Sequence, residues 1–389
     1  MYSFQREYTL IPHSPLIHFQ YDKDGAALRA TEVKPKLDRY IIKHCKEIPD
    51  IWRNDQSKNA FNYQMRIISL ENNPPIALGY KDEHGNRTNY DIYYGNMGDG
   101  PKKKGLKNKQ KVIITCFNES LLKYIDKVIG DFFIVTNFGT MQSKGFGSFT
   151  VAEKNNDSNY IISVLKTEYT HTNRCYRFNR GREYQDPIRD TTFKKIKTVY
   201  SLMKSGINNT NDGRYPTRYR RSILFNYVRN MPVKGKAADM GNEKAWMKQR
   251  SISPALNRSG RYVFRKDSYS RYVRALLGIS ETIRYKNDPD GFVNVSIKES
   301  TKSIDRLHSP VLFKVIDDKV YYVATEINQE IYGKQFIFSS KMGRGVLSVP
   351  AETELPADFL ENFLHYAYAE INLCKANFPD IREIKIEEV

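Results

Sequence analysis

Apolar and polar positions along this chain follow two periods, and each marks a different kind of element. Residues 7–20, 61–70, 76–80, 89–94 and 112–117 read as strands, the first interrupted by Pro12 and Pro15. Apolar residues three and four apart predict helices. One starts at Thr31, its expected N-cap, with Pro35 in the first turn and Val33, Leu37, Ile41 and Cys45 on one face. A second follows the capping residue Asn118 and turns Leu121, Leu122, Ile125, Val128 and Ile129 toward a core. Others are expected near 192–203 and 219–230, and over 357–378, where Phe359, Phe363, Tyr366 or Ala367, and Leu373 share a face. Residues 82–87, 98–111 and 233–262 have turn and loop composition, with Lys102, Lys103 and Lys104 in the middle one.

Between the second helix and a β-type run at 149–152 lies a loop, Asn137–Phe149, with Gly139, Gly145 and Gly147 around Lys144. Glycine accepts φ > 0 and lets another backbone come close. Successive N–H groups beside a lysine form a concavity suited to an anion. No Gly-Lys-Ser/Thr triplet opens a helix, which excludes a nucleotide P-loop. A strand follows the glycines, which excludes the dinucleotide fingerprint. The alternative is a glycine-rich hairpin carrying one solvated lysine. Strand, helix, strands, helix, strand is the β-α-β-β-α-β order of a ferredoxin-like unit. Arg29, Lys34, Lys36 and Arg39 flank the N-terminal half of the first helix, where phosphate is attracted; a solvated basic face is the plainer alternative.

Charge narrows the choice of partner. The chain has 389 residues, enough for two domains, and a net charge of +18. Residues 174–274 hold 25 of the 62 Lys and Arg but 7 of the 44 Asp and Glu, and the rest of the chain carries 37 of each sign. A concentrated basic block calls for a polyanionic partner. Within it Arg174, Arg177, Arg180 and Arg182, and then Arg214, Arg218, Arg220 and Arg221, alternate with Tyr and Phe. Arginine for phosphate and aromatic rings for bases suit single-stranded nucleic acid, although Arg and Tyr also pair on ordinary protein surfaces. Cys45, Cys116, Cys175 and Cys374 are widely spaced and the seven histidines are scattered, so no disulfide framework, metal or other cofactor is expected. The sequence contains no apolar run long enough to span a bilayer and opens without signal-peptide character. A cytoplasmic protein without a membrane partner is expected.

The last part of the chain echoes the first. Leu307-His308-Ser309-Pro310-Val311 resembles Pro12-His13-Ser14-Pro15-Leu16, and Ser340-Lys341-Met342-Gly343-Arg344-Gly345 resembles Ser143-Lys144-Gly145-Phe146-Gly147. A Ser-Pro strand, a helix introduced by Leu28-Arg29-Ala30-Thr31, and the Lys144-Gly145-Phe146-Gly147-Ser148-Phe149 loop together resemble the RAMP superfamily of CRISPR effector subunits. The nearest likeness is to the two-domain RAMP subunit of type III complexes, over roughly 7–151 and 300–350 and not over the basic block. The resemblance implies an α+β chain with two ferredoxin-like (RRM-like) domains, and the charge distribution adds a basic inserted middle region. Expected boundaries are 1–160, 161–299 and 300–389. It also implies binding of CRISPR RNA or its target beside other effector subunits, with RNA contact carried onto Arg29, Lys144, Gly145, Phe146 and Gly147.

Two roles share this resemblance. One is a non-catalytic RNA-binding subunit. The other is a metal-independent endoribonuclease acting on precursor CRISPR RNA, which needs a base near the 2′-hydroxyl and a cation near the phosphorane. His13, His18, His171 and His308 are the candidate bases, His18 foremost, with Lys144 or Arg29 as the cation. A DNA-binding defence or transposon protein would share the charge, but no helix-turn-helix is recognisable.

Overall fold

The structure, a computed structural model, describes residues 4–17, 27–53, 59–77, 79–81, 87–89, 104–181, 192–209, 218–229, 231, 240, 243, 246, 270–287, 291–301, 303–304, 307–341, 343–373 and 384–389. Its first strand, β1 (Gln5–Pro12), is followed by helix α1 (Ala30–His44). Val33, Leu37 and Ile41 of α1 are buried as their spacing predicts, whereas Cys45 is the half-exposed C-cap. The N-cap is Arg29 and not Thr31, and its side chain makes no capping hydrogen bond. Pro35 consequently lies past the first turn, where it leaves the exposed Thr31 carbonyl without its usual donor. Strands β2 (Gln64–Ser69) and β3 (Gln110–Thr115) precede helix α2 (Glu119–Val135). The Asn118 side chain accepts from the Leu121 N–H at 3.0 Å, and Leu121, Leu122, Ile125, Val128 and Ile129 are all buried. Strand β4 (Phe149–Val151) follows the glycine loop.

These strands form one antiparallel sheet in the order β2–β3–β1–β4. Alternation along each strand sets one face inward: Tyr8, Leu10, Val112 and Ile114 join α1 and α2 in a core that also takes Phe132, Phe133, Phe138 and Phe149. Next come α3 (Ser158–Tyr169), capped by Asp157, then β5 (Tyr176–Asn179) and α4 (Thr192–Lys204).

The strands and α-helices after α4 are β6 (Ile207–Asn209), β7 (Arg218–Arg220), α5 (Ile223–Arg229), β8 (Thr282–Asn287), β9 (Gly291–Glu299), β10 (Val311–Ile316), β11 (Lys319–Ala324), β12 (Gln335–Ser340), β13 (Gly343–Ser348), α6 (Phe359–Leu373) and β14 (Ile386–Glu388). The helix expected from residue 219 starts at Ile223, because Tyr219 is a strand residue paired with Asn208. In α6, Phe359, Phe363 and Ala367 are buried, whereas Leu373 is 78% exposed.

The chain divides into two units: Met1–Ile196 with Leu312–Val323 and Glu387–Val389, and Lys197–Val311 with Ala324–Ile386. In the first unit a second sheet, β10–β11–β5–β14, packs Leu312, Ile316, Tyr321 and Val323 against Ile134, Val135, Ile161 and Leu165. In the second unit β8–β9–β12–β13 form an antiparallel sheet of two hairpins. The later Ser-Lys-Gly segment is the turn between β12 and β13, so its geometry differs from that of the loop after α2, which leads from a helix into a sheet.

Candidate nucleic-acid interface

The glycine loop is built into the first unit rather than laid over it. Gly145 and Gly147 have φ of +84° and +64°, as their positions beside Lys144 predict. A Cβ on Gly147 would sit well inside contact distance of the Phe138 carbonyl oxygen, so the close approach is made by the loop's own backbone. The Gly147 N–H donates to Pro15 at 2.9 Å, Gly145 to Gln142 at 3.2 Å and Lys144 to Met141 at 2.9 Å. These three donors are therefore engaged within the chain and do not form an open anion nest. Phe146, one of the positions onto which the resemblance carries RNA contact, is 1% exposed and stacks on Phe193 with centroids 3.9 Å apart. Lys144 forms a parallel bridge with Phe313, and its Nζ lies 5.9 Å from that ring.

Strand β10 clamps the loop from the far side of the sequence. The Asn137 amide donates to the Gln142 and Phe313 carbonyls at 2.7 and 2.9 Å, and the Ser143 carbonyl accepts from the Phe313 N–H at 3.0 Å. Next along the strand, Lys314 is 1% exposed and donates to the Phe133 and Thr136 carbonyls at 2.7 and 2.8 Å, capping the C-terminus of α2. Burial, and secondarily the Lys36 charge, hold its pKa well below the ordinary lysine range. Sequence reasoning passed over Lys314, although a lone cation inside Val311-Leu312-Phe313-Lys314-Val315-Ile316 is a usable signal.

Helix α1 brings its lysines to the same loop. Lys36 donates to Glu32 at 3.0 Å, to the Asn137 carbonyl at 3.1 Å and to Gln142 at 3.0 Å. Burial lowers its pKa, against the opposing pull of Glu32. Glu32 also accepts the Gly139 N–H at 2.9 Å, so a carboxylate of the chain already holds two of the donors available to a phosphate. Lys34 donates to Asp38 and to the Phe61 carbonyl, both at 2.9 Å, and lies over Tyr63. Arg29 is half-buried at the helix start and Arg39 is exposed.

Several of the described arginines of the basic block, among them Arg174, Arg177 and Arg220, pair with distant carboxylates. Arg177 donates to Glu387 at 3.0 Å and to Ser158 at 3.0 Å, and Arg174 lies 3.6 Å from Glu388. Arg180 reaches Thr192 at 3.2 Å and the Asp317 carbonyl at 3.4 Å. In the second unit Arg220 pairs with Glu370 at 2.8 Å, while Arg221 is exposed and stands 5.3 Å from the Phe225 ring. Arg218 lies in β7 opposite Asn209. Arg182, Arg214 and His18 lie outside the described residues. His13, the other strand histidine considered as a base, is buried: Nδ1 accepts from the Asp317 N–H at 3.1 Å and Nε2 meets Thr150 Oγ1 at 2.8 Å. Burial, aided by the Lys314 charge, lowers its pKa to about 3, so it is a neutral latch between β1, β4 and the β10–β11 turn. Among the described residues no group of three or more His, Cys, Asp or Glu is arranged to hold a metal, and no helix is long and apolar enough to cross a membrane.

Residues 3–207 match the family model of the Cmr1 N-terminal domain, and residues 219–385 that of the Cmr1 C-terminal domain. The chain belongs to the Cmr1 family. The resemblance to the RAMP proteins of type III complexes therefore stands, and membership in Cmr1 makes the chain a subunit of a type III CRISPR-Cas complex. No curated protein matches it. Among solved structures, one described as "Crystal structure of Cmr1 from Pyrococcus furiosus (apo form)" is 10% identical to this chain, with a TM-score of 0.43 over 99% of this chain and 98% of its own.

Proposed function

We propose that this Cmr1 chain is the RNA-binding kind of subunit, contacting CRISPR RNA or target RNA beside other Cmr subunits in a cytoplasmic antiviral ribonucleoprotein. The observation that carries this reading is the confinement of the whole charge excess to residues 174–274. Charge held in one quarter of a subunit serves a polyanion better than it serves solubility. The sheet β2–β3–β1–β4 supports it: with α1 and α2 as crossovers, its strand order and antiparallel pairing fit a ferredoxin-like (RRM-like) domain. Arg29, Arg39 and Arg221, half-buried or exposed, are the better placed of the expected contacts, whereas Phe146, Gly145 and Gly147 support the loop from within.

Fluorescence anisotropy of the purified chain with single-stranded RNA across a salt series tests this. Several phosphate contacts should give a log–log slope of several units, at about 0.7 per contact for single strands. Duplex DNA at equal charge should compete poorly. Failure to bind RNA at low salt would remove the reading.

A further inference from the structure

The sheet β8–β9–β12–β13 of the second unit has two unlike faces. Val295, Ile297, Phe336, Phe338 and Leu347 are buried on one, where the Tyr272 ring lies 5.3 Å from Phe336 and 5.0 Å from Phe338. Side chains alternate along a strand, so the intervening residues stand on the other face. Strand register aligns Thr282, Ser296, Ser339 and Arg344 as one rung across all four strands. The next rung is Lys298, Ile337 and Val346, and the one after pairs Gln335 with Ser348. Thr282, Lys298, Gln335, Arg344 and Val346 are exposed, and the serines are half-exposed. Lys341, also exposed, sits in the turn joining β12 to β13.

These rungs contain cations, hydroxyls, an amide and two aliphatic side chains, and no carboxylate. The acids of the described strands lie elsewhere. Glu281 precedes β8, and Glu299 is buried, its oxygens taken by the N–H and hydroxyl groups of Thr301 and Ser303. Asp288 and Asp290 lie outside the described residues. A protein-docking face would be expected to be poor in Lys and Ser at its centre. Arg, Lys, Ser and Thr are instead the residues that hold phosphate and sugar. Lys298 and Arg344 are two strands and one rung apart, roughly 12 Å between Cα atoms from strand spacing and rise. A single strand crossing the sheet meets both.

The geometry points to this face as a sequence-independent cradle for single-stranded RNA: Lys298 and Arg344 take phosphates, Ser296, Ser339 and Thr282 bond phosphate or sugar oxygens, and Ile337 and Val346 lie under ribose or base. The inference rests on the RNA-binding reading and gives it a surface outside the arginine-rich block. Lys298→Gln with Arg344→Gln, on the full chain, alters exposed positions and should leave the thermal melt in place. Affinity for a uridine-rich single strand should fall on the order of tenfold at low salt, and the log–log slope should flatten by about 1.4 for two lost contacts. A photoactivatable thiouridine RNA should crosslink to peptides within 291–299 or 335–348 of the parent, a readout that does not depend on the variant folding. If the parent binds RNA and the folded variant binds with the same slope, the cradle is wrong and the RNA reading stands. If the parent binds no RNA, both fall. If RNA binding is unchanged while the variant fails to join other Cmr subunits, the face docks protein and the inference is overturned.

Discussion

Replacing Gly147 by alanine separates a backbone requirement from a side-chain one, because Gly145 two residues earlier is the matched control. Both glycines have positive φ, where an L-residue costs about 1–2 kcal/mol. Alanine also restricts the unfolded chain, which returns about 0.4–1 kcal/mol in each variant. At Gly145 the new methyl would meet Val315 Cγ2 at 3.0 Å and Ile196 Cδ1 at 3.3 Å, side-chain ends that can shift. Gly145→Ala should therefore cost about 1 kcal/mol. At Gly147 the obstacle is the Phe138 carbonyl, held in place because the Phe138 N–H donates to the Gly147 carbonyl at 3.0 Å. Moving it breaks that bond and strains the Gly147-to-Pro15 bond, each worth about 1 kcal/mol, so Gly147→Ala should cost about 3 kcal/mol or more. Urea unfolding monitored by Trp52, buried in the first unit, in a Trp246→Phe background reads this difference directly. Equal midpoints for the two variants, or a Gly147→Ala protein as stable as its parent, would refute the argument that the loop's close approach is to its own backbone.

Lys314 titrates well below its unfolded value, so the folded state binds fewer protons and stability rises with pH through this window. As the pH rises toward the ordinary lysine pKa the first unit should gain stability, and Lys314→Met should flatten that gain in Trp52-monitored unfolding; an unchanged pH slope in the folded variant would contradict a low folded pKa. Arg221→Ala should flatten the RNA salt slope by about 0.7. Arg220→Ala should leave the slope alone and cost less than about 1 kcal/mol of stability, because its guanidinium is committed to Glu370; the reverse pattern would mean that the ion pair opens for RNA. Glu387→Gln with Glu388→Gln removes the carboxylates beside Arg177 and Arg174, so the slope should steepen by up to about 1.4. No change there would leave those arginines as struts of the sheet edge.

Much of the first unit was legible in the residue order because its causes are local. The Asn118 cap and the spacing from Leu121 to Ile129 place α2, and the glycines around Lys144 permit the positive φ that the loop adopts. The loop motif also carried the chain to its superfamily. What tertiary structure alone decided is what the polar groups meet. Lys36, Lys314 and Phe146 read from sequence as solvated or ligand-facing candidates or as nothing at all, yet each is packed against partners from other segments. Arg177 and Arg220 read as free cations until Glu387 and Glu370 arrive from 210 and 150 residues away. Leu373 has the right helical phase for a core but receives no covering element among the described residues. Helix caps and periods are set by neighbours a few residues apart, whereas the partner of a buried charge is set by chain return. No window of sequence contains both halves of such a pair.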